Sequence, residues 1–261
     1  MKGPALTSAD DPAASDDTAV WQSFRHHSRT FSFAARLLPR AMRMPVATLY
    51  LYCRAVDTLA DERGAEIGAH AALAELDELR AKLDATLAGN PPAAPLWHRM
   101  AAIDRTIGLN APPLYQLIEG ARWDLEGRTV ETEDDLIHYS DLVGGCVGAM
   151  MLPFLTRRRG DVAALDHPAR ALGIAMQITN ILRDVGEDTR LLGRTYVPAE
   201  LLTRFSVDAA DLSGDTVPDG YPLLIEHLAA RAEALYEEGL DGVESLPAAV
   251  RRGIRAAAHV Y

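Results

Sequence analysis

Only two cysteines, Cys53 and Cys146, occur in the 261 residues. They are too few for a disulfide framework, and on their own they cannot ligate a structural zinc. Both read as small buried hydrophobes of a protein in a reducing compartment. Positive charge is scarce as well: 26 Lys plus Arg stand against 37 Asp plus Glu, giving a formal charge of −11 and a pI near 5.2. That balance excludes a broad electrostatic grip on nucleic acid or on an anionic membrane. An anionic ligand would have to be held by local devices. Long hydrophobic runs are missing too, since Gly144 to Leu155 is the longest and falls short of the roughly 18 apolar residues of a membrane-spanning helix. Strand signals are few, and no internal repeat or low-complexity block is visible.

What is present is Ala, Leu, Arg and Glu at helical spacing, in a composition 48% hydrophobic and 24% charged. This predicts one all-α globular domain over residues 20–261 with a sizeable core. Residues 1–19 carry Asp10, Asp11, Asp16 and Asp17 with no basic start and no apolar centre. They read as a flexible acidic tail and not as a secretory signal, which places the protein in the cytoplasm with peripheral membrane contact left open. Apolar periodicity predicts helices over about 44–63, 71–87, 95–107, 113–126 and 132–158, the last opened by a Thr132/Asp135 cap. Gly144, Gly145 and Gly148 in that segment cost helix stability and point to close packing or cavity space. Further helices are expected over about 168–189, opened by His167-Pro168, then 222–240 and 246–260. Residues 190–221, rich in Gly, Pro and Asp, read as a long irregular region of the kind that often has a function.

Asp57 and Asp61 lie four residues apart on one predicted helix, and Asp184 and Asp188 repeat the spacing on another. Each pair projects from one helix face about 6 Å apart, where like charges repel. On a solvated face the penalty is small. Here both pairs grow out of apolar stretches, Leu49 to Val56 and Ile178 to Leu182. Buried carboxylates need compensation. Mg²⁺ would supply it, taking one or two carboxylates and completing its shell with water and substrate phosphates. Arg54 and Arg183 stand beside the pairs and could grip the same phosphates, or simply neutralise the neighbouring aspartates.

Several segments together carry a family resemblance. They are His27-Ser28-Arg29-Thr30-Phe31-Ser32 with Leu37-Leu38-Pro39, Tyr50-Leu51-Tyr52-Cys53-Arg54-Ala55-Val56-Asp57 with Asp61, and the twelve residues from Gln177 to Asp188. Gly120 to Asp124, Tyr139, Val143, Gly144, Val147 and Gly148 fall between them in order. From about 27 to 200 the chain resembles the squalene and phytoene synthase family. The resemblance implies an isoprenoid synthase fold, a helical bundle around an apolar cavity with the two aspartate motifs facing each other at its mouth. It implies a reaction in which two prenyl diphosphates condense head to head through a cyclopropylcarbinyl diphosphate to a C30 or C40 hydrocarbon.

Carried over position by position, the resemblance makes Asp57, Asp61, Asp184 and Asp188 the catalytic metal-binding carboxylates, with Asn180 a further metal ligand. Arg29, Arg54 and Arg183 would hold diphosphate. Tyr50, Tyr139, Gln177, Asn180 and Tyr196 would line the reaction centre, and Val143, Gly144, Val147 and Gly148 would shape the channel. Mg²⁺ is the expected cofactor, with Mn²⁺ an alternative and NADPH undetermined. Thr58 stands where many relatives carry a second Asp, the Thr189–Thr195 loop is one residue longer than usual, and Tyr261 falls where the family runs on through its last helix. Phytoene synthase is the favoured reading. Squalene or dehydrosqualene synthase, a relative prenylating another small acceptor, a non-catalytic relative and a nucleotide diphosphate hydrolase are the alternatives.

Overall fold

The structure is a computed structural model that describes residues 16–156, 159–214 and 216–260. Among them there is no strand. Two helices precede the first one expected from periodicity: α1 (Asp17–His27) and α2 (Arg29–Arg36). Asp16 caps α1 by accepting from the Ala19 amide at 2.7 Å, so the helical domain begins three residues earlier than the acidic composition suggested. Residues 1–15 of the expected tail lie outside the described residues. Ser28 serves both helices. Its amide donates to the Phe24 carbonyl to close α1, and its hydroxyl accepts from the Phe31 amide to open α2.

Helix α3 (Arg40–Thr58) starts earlier than expected, so Pro45 lies within it. It runs into a π-helical turn, Leu59–Arg63, and then α4 (Gly64–Ile67). Helix α5 (Ala69–Leu87) buries Ala72, Leu76, Leu79 and Leu83 at three- and four-residue intervals. Helices α6 (Pro95–Thr106) and α7 (Ala111–Leu125) begin at prolines or just before them, where a missing amide proton costs nothing. The expected Thr132/Asp135 capping box opens α8 (Glu133–Ser140). The segment expected as one helix over 132–158 is divided by a second π-helical turn, Asp141–Gly145, before α9 (Cys146–Leu155).

Pro168 does not open the next helix but lies inside α10 (Arg159–Glu187). Its ring fills the space where Gly242 lacks a side chain, since a Cβ there would meet Pro168 Cβ at 2.4 Å. A third π-helical turn, Asp188–Leu192, ends α10. The region expected to be irregular also contains α11 (Ala199–Arg204) and a 3₁₀ turn, Ala209–Ser213. Helices α12 (Tyr221–Val243) and α13 (Ala248–Val260) follow. No helix among the described residues is long and apolar enough to cross a membrane.

Two apolar clusters hold the bundle. One gathers α1, α3, α5, α6, α7 and α9 around the fully buried Trp97 and Tyr52, whose hydroxyl donates to the Leu114 carbonyl at 2.8 Å. The other packs α10 along α12, with α8 and α11. Val143 touches both. Between them the Asp141–Gly145 turn meets α10 backbone to backbone: a Cβ on Gly173 would lie 2.2 Å from the Gly144 carbonyl oxygen, and one on Gly144 would lie 2.5 Å from that of Gly173. Gly173→Ala should therefore lower the unfolding free energy by about 1–3 kcal/mol. Thermal unfolding checks this, and an unchanged midpoint would show that the crossing has slack.

Candidate active site

A cavity of about 430 Å³ is walled mostly by residues of the first cluster, with Val143, which touches both, in its lining. Side chains such as Phe31, Val46, Val147, Leu155 and Leu246 make its walls apolar, while His27, Ser28, Tyr50, Asp57, Gln177 and Asn180 make one end polar. Helix α3 delivers Tyr50 and Asp57 two turns apart, and α10 delivers Gln177 and Asn180 one turn apart. The channel residues expected from sequence, Val143, Gly144, Val147 and Gly148, all line it. The stripe of small residues thus serves close packing and cavity space together.

Asp57 is an exposed residue that lines the cavity, although protein is packed densely around its carboxylate. Burial first, and then the charge of Asp61, push its carboxyl up to about 7 against the opposing pull of Arg54. Asp61 is also raised, chiefly by burial, although Arg194 and Arg54 draw it down. Asp188 rises to about 6 through burial and then the charges of Asp184 and Asp61. The two motifs therefore share one electrostatic environment. Asp61 and Asp188 each belong to a π-helical turn, and Gly144 lies in the third such turn. Wider turns of this kind recur at functional sites because they redirect side chains.

Arg194 and Asp124, not assigned as site residues from sequence, join this group. Arg194 Nη1 donates to Asp61 Oδ1 at 3.2 Å and lies 4.0 Å from Asp124 Oδ2, while Nη2 donates to the Ala60 carbonyl at 3.2 Å. Asp124 is almost fully buried and accepts from the Tyr139 hydroxyl at 3.0 Å and the Tyr196 hydroxyl at 2.8 Å. The two rings stack at 4.7 Å. Burial lifts Asp124 to about 6 in spite of Arg194 and both hydroxyls. Tyr139 and Tyr196 therefore stand in this network and not on the cavity wall, whereas Tyr50, Gln177 and Asn180 line the wall as expected. The sequence signal available for Asp124 was its place in the motif Gly120 to Asp124.

The remaining arginines differ in setting. Arg54 pairs with Glu62, and its Nε is buried without an acceptor. Arg183 pairs with Asp184 through Nε at 2.9 Å and Nη2 at 2.6 Å, the neutralising role that spacing left open. Arg29 is exposed at the first position of α2, next to the cavity-lining Ser28. Cys53 and Cys146 are both free and buried, as expected.

The raised carboxyls carry a pH prediction. An acid whose folded pKa exceeds its unfolded value of 3.8 holds more protons when folded, so stability falls as pH rises between the two values. For Asp57 that window runs from about 4 to about 7, and for Asp124 and Asp188 from about 4 to about 6. Urea unfolding of the ligand-free protein should give a steeper loss of stability from pH 5 to 7 in the wild type than in Asp57→Asn. Parallel profiles would show that Asp57 titrates normally.

An all-helical bundle, with an apolar cavity that Asp57 borders and two acidic motifs close enough that the charge of Asp61 raises the Asp188 carboxyl, defines an isoprenoid synthase fold. The squalene/phytoene synthase family profile matches residues 24–261, and the chain belongs to that family. Over 250 residues it is 36% identical to the phytoene synthase of Rhodobacter capsulatus, covering 95% of this chain and 72% of that protein. It is 32% identical to the 15-cis-phytoene synthase of Synechococcus elongatus, covering 90% and 78%. A dehydrosqualene synthase solved with a ligand superposes with a TM-score of 0.87 at 33% identity, covering 96% of this chain and 86% of that one. A squalene synthase from Alicyclobacillus acidocaldarius gives 0.80 at 25% identity, covering 96% and 94%. The protein is a prenyltransferase of the squalene/phytoene synthase type, and head-to-head prenyl condensation is the reaction of its family.

Proposed function

We propose that the protein condenses two molecules of geranylgeranyl diphosphate through a cyclopropylcarbinyl diphosphate to the C40 hydrocarbon phytoene, as the names of its relatives in Rhodobacter capsulatus and Synechococcus elongatus suggest. The observation that carries the reading is the apolar-walled cavity ending at Asp57, Gln177 and Asn180. Its walls exclude water from a carbocation, and its polar end is where a diphosphate would depart.

The donors at that end fit a hard divalent cation. The carboxylates of Asp57, Asp61 and Asp188 are raised, first by burial and then by neighbouring carboxylates, and the Asn180 Oδ1 is buried with no hydrogen-bond donor. Among the described residues no three His, Cys, Asp or Glu side chains form a ready-made cage. Substrate phosphates would complete the shell, as is usual for Mg²⁺. Asp57, Asp61, Asp184, Asp188 and Asn180 would hold Mg²⁺ or Mn²⁺, which neutralises charge on the leaving diphosphate. Arg29, Arg54 and Arg183 add guanidinium contacts, with Arg183 released from Asp184 as that carboxylate turns to the cation. Tyr50 and Gln177 orient the reacting carbons, and Tyr139 and Tyr196, anchored on Asp124, fix the wall beside them.

The deciding experiment is a mass-spectrometric product assay with Mg²⁺ and either geranylgeranyl or farnesyl diphosphate, with and without NADPH, and with EDTA as control. The expected result is an EDTA-sensitive C40 hydrocarbon from geranylgeranyl diphosphate, unchanged by NADPH because proton loss ends the reaction. The superposition on a dehydrosqualene synthase supports a second reading. A C30 product formed from farnesyl diphosphate alone would establish it in place of the first.

A further inference from the structure

We infer that Arg170, outside the cavity, is a positioning residue for the second half of this condensation, acting through the Asp141–Gly145 turn. The inference rests on the head-to-head reading above. Arg170 lies on α10 two turns before Gln177 and spends all three guanidinium nitrogens on protein. Nε donates to Asp166 Oδ2 at 2.8 Å, Nη1 to both oxygens of Asp141 at 3.0 and 3.1 Å, and Nη2 to Gln116 Oε1 at 2.9 Å. One side chain thus ties α7, the π-helical turn and its own helix. The Arg170 and Asp141 side chains are only 19% and 25% exposed, so the pair is screened less than a surface ion pair.

The grip acts on the turn itself. Asp141 is its first residue, and the carboxylate folds back over the turn, since a Cβ on Gly145 would meet Asp141 Oδ1 at 2.2 Å. Three residues after Arg170, Gly173 makes the backbone contact with Gly144. The turn is therefore held to α10 at both ends, by charge at Asp141 and by close packing at Gly144. Between those points lies Val143, which lines the cavity with Gly144, and just before them comes Tyr139 with its bond to Asp124. Arg170, Asp141 and Gln116 do not line the cavity, so none of them touches substrate in this arrangement. Lysine cannot replace the grip, because a single ammonium has no planar set of donors for three partners.

The consequence falls on the step with the stricter geometry. Forming the cyclopropylcarbinyl diphosphate joins two chains with loss of diphosphate and a proton. The second step breaks the remaining carbon–diphosphate bond and rearranges the ring, and a final proton loss gives the hydrocarbon. That rearrangement competes with escape of the intermediate, so a wall displaced by about 1 Å would slow it by up to about 100-fold.

The test compares wild type with Arg170→Gln, Arg170→Lys and Gln116→Leu in the presence of Mg²⁺ and geranylgeranyl diphosphate, quantifying cyclopropylcarbinyl diphosphate and hydrocarbon and recording thermal unfolding. Arg170→Gln should lower kcat for hydrocarbon by about 10- to 100-fold with KM changed less than about threefold. The ratio of released intermediate to hydrocarbon should rise in the same variant, and Arg170→Lys should fall between it and wild type. Should Arg170→Gln fail to fold, Gln116→Leu removes one arm of the grip and must still raise the ratio. An active wild type whose folded variants keep the wild-type ratio overturns this inference alone. A wild type that makes no hydrocarbon overturns the reaction reading and this inference with it.

Discussion

Asp57→Asn should reduce turnover at least about 1000-fold while raising the thermal midpoint of the ligand-free protein at pH 8. The two effects share one cause. In the free protein the Asp57 carboxyl is pushed up to about 7 by burial and by Asp61, so at pH 8 it is held charged in a place that disfavours charge. The amide keeps the shape and removes that penalty. The same charge is what the proposed site needs once a cation and a diphosphate arrive, and asparagine cannot supply it. Asp184→Ala should match the loss of turnover without the gain in midpoint, since Asp184 already pairs with Arg183. Product assays and thermal melts on the purified variants, with circular dichroism to confirm unchanged helix content, check both parts. Turnover retained in both variants would remove the metal assignment, and a lowered midpoint in Asp57→Asn would show that its charge is already compensated.

Asp124→Leu should be nearly as damaging, with kcat down by about 100-fold or more and stability reduced as well. This carboxylate accepts both the Tyr139 and the Tyr196 hydroxyl and lies 4.0 Å from Arg194. Leucine strands two buried hydroxyls, each worth about 1–3 kcal/mol when unsatisfied. Arg194 would lose a carboxylate neighbour while keeping its bonds to Asp61 and the Ala60 carbonyl, drawing the guanidinium toward Asp61. Asp124→Asn retains one acceptor oxygen and should lie between leucine and wild type. Because the four groups act as one unit, Asp124→Asn combined with Tyr196→Phe should cost less than the sum of the single changes. Additive losses in kcat would mean that Asp124 and Tyr196 act separately.

Much of this architecture is legible in the sequence because it is local. The helix over 71–87 and the Thr132 capping box follow from residues within two turns of one another, and both are found as expected. The four-residue spacing within each aspartate pair likewise shows that its members share a helix face. Other features hide for equally physical reasons. Prolines normally mark helix starts, so Pro168 conceals the first turns of α10, and the room for its ring comes from Gly242, far along the chain on α12. The π-helical turns leave no pattern in apolar spacing, because one widened turn shifts the phase of a helix without breaking it. The short helices α1 and α2 meet at Ser28, whose dual capping role depends on a backbone conformation that composition does not report.

By itself the sequence determined the helical class, the two acidic motifs with their arginines and the stripe of small residues at Gly144 and Gly148. All of these depend on neighbours within a few residues along one helix. Tertiary structure decided which charges meet. Arg194 reaches Asp61 across 133 positions, and Tyr196 reaches Asp124 across 72. It also decided that Arg170 grips the turn beneath Gly144 and that the apolar faces leave a cavity between them. Helical periodicity fixes the face on which a side chain lies, whereas its partners are fixed by how whole helices pack, and that is a property of the assembled core.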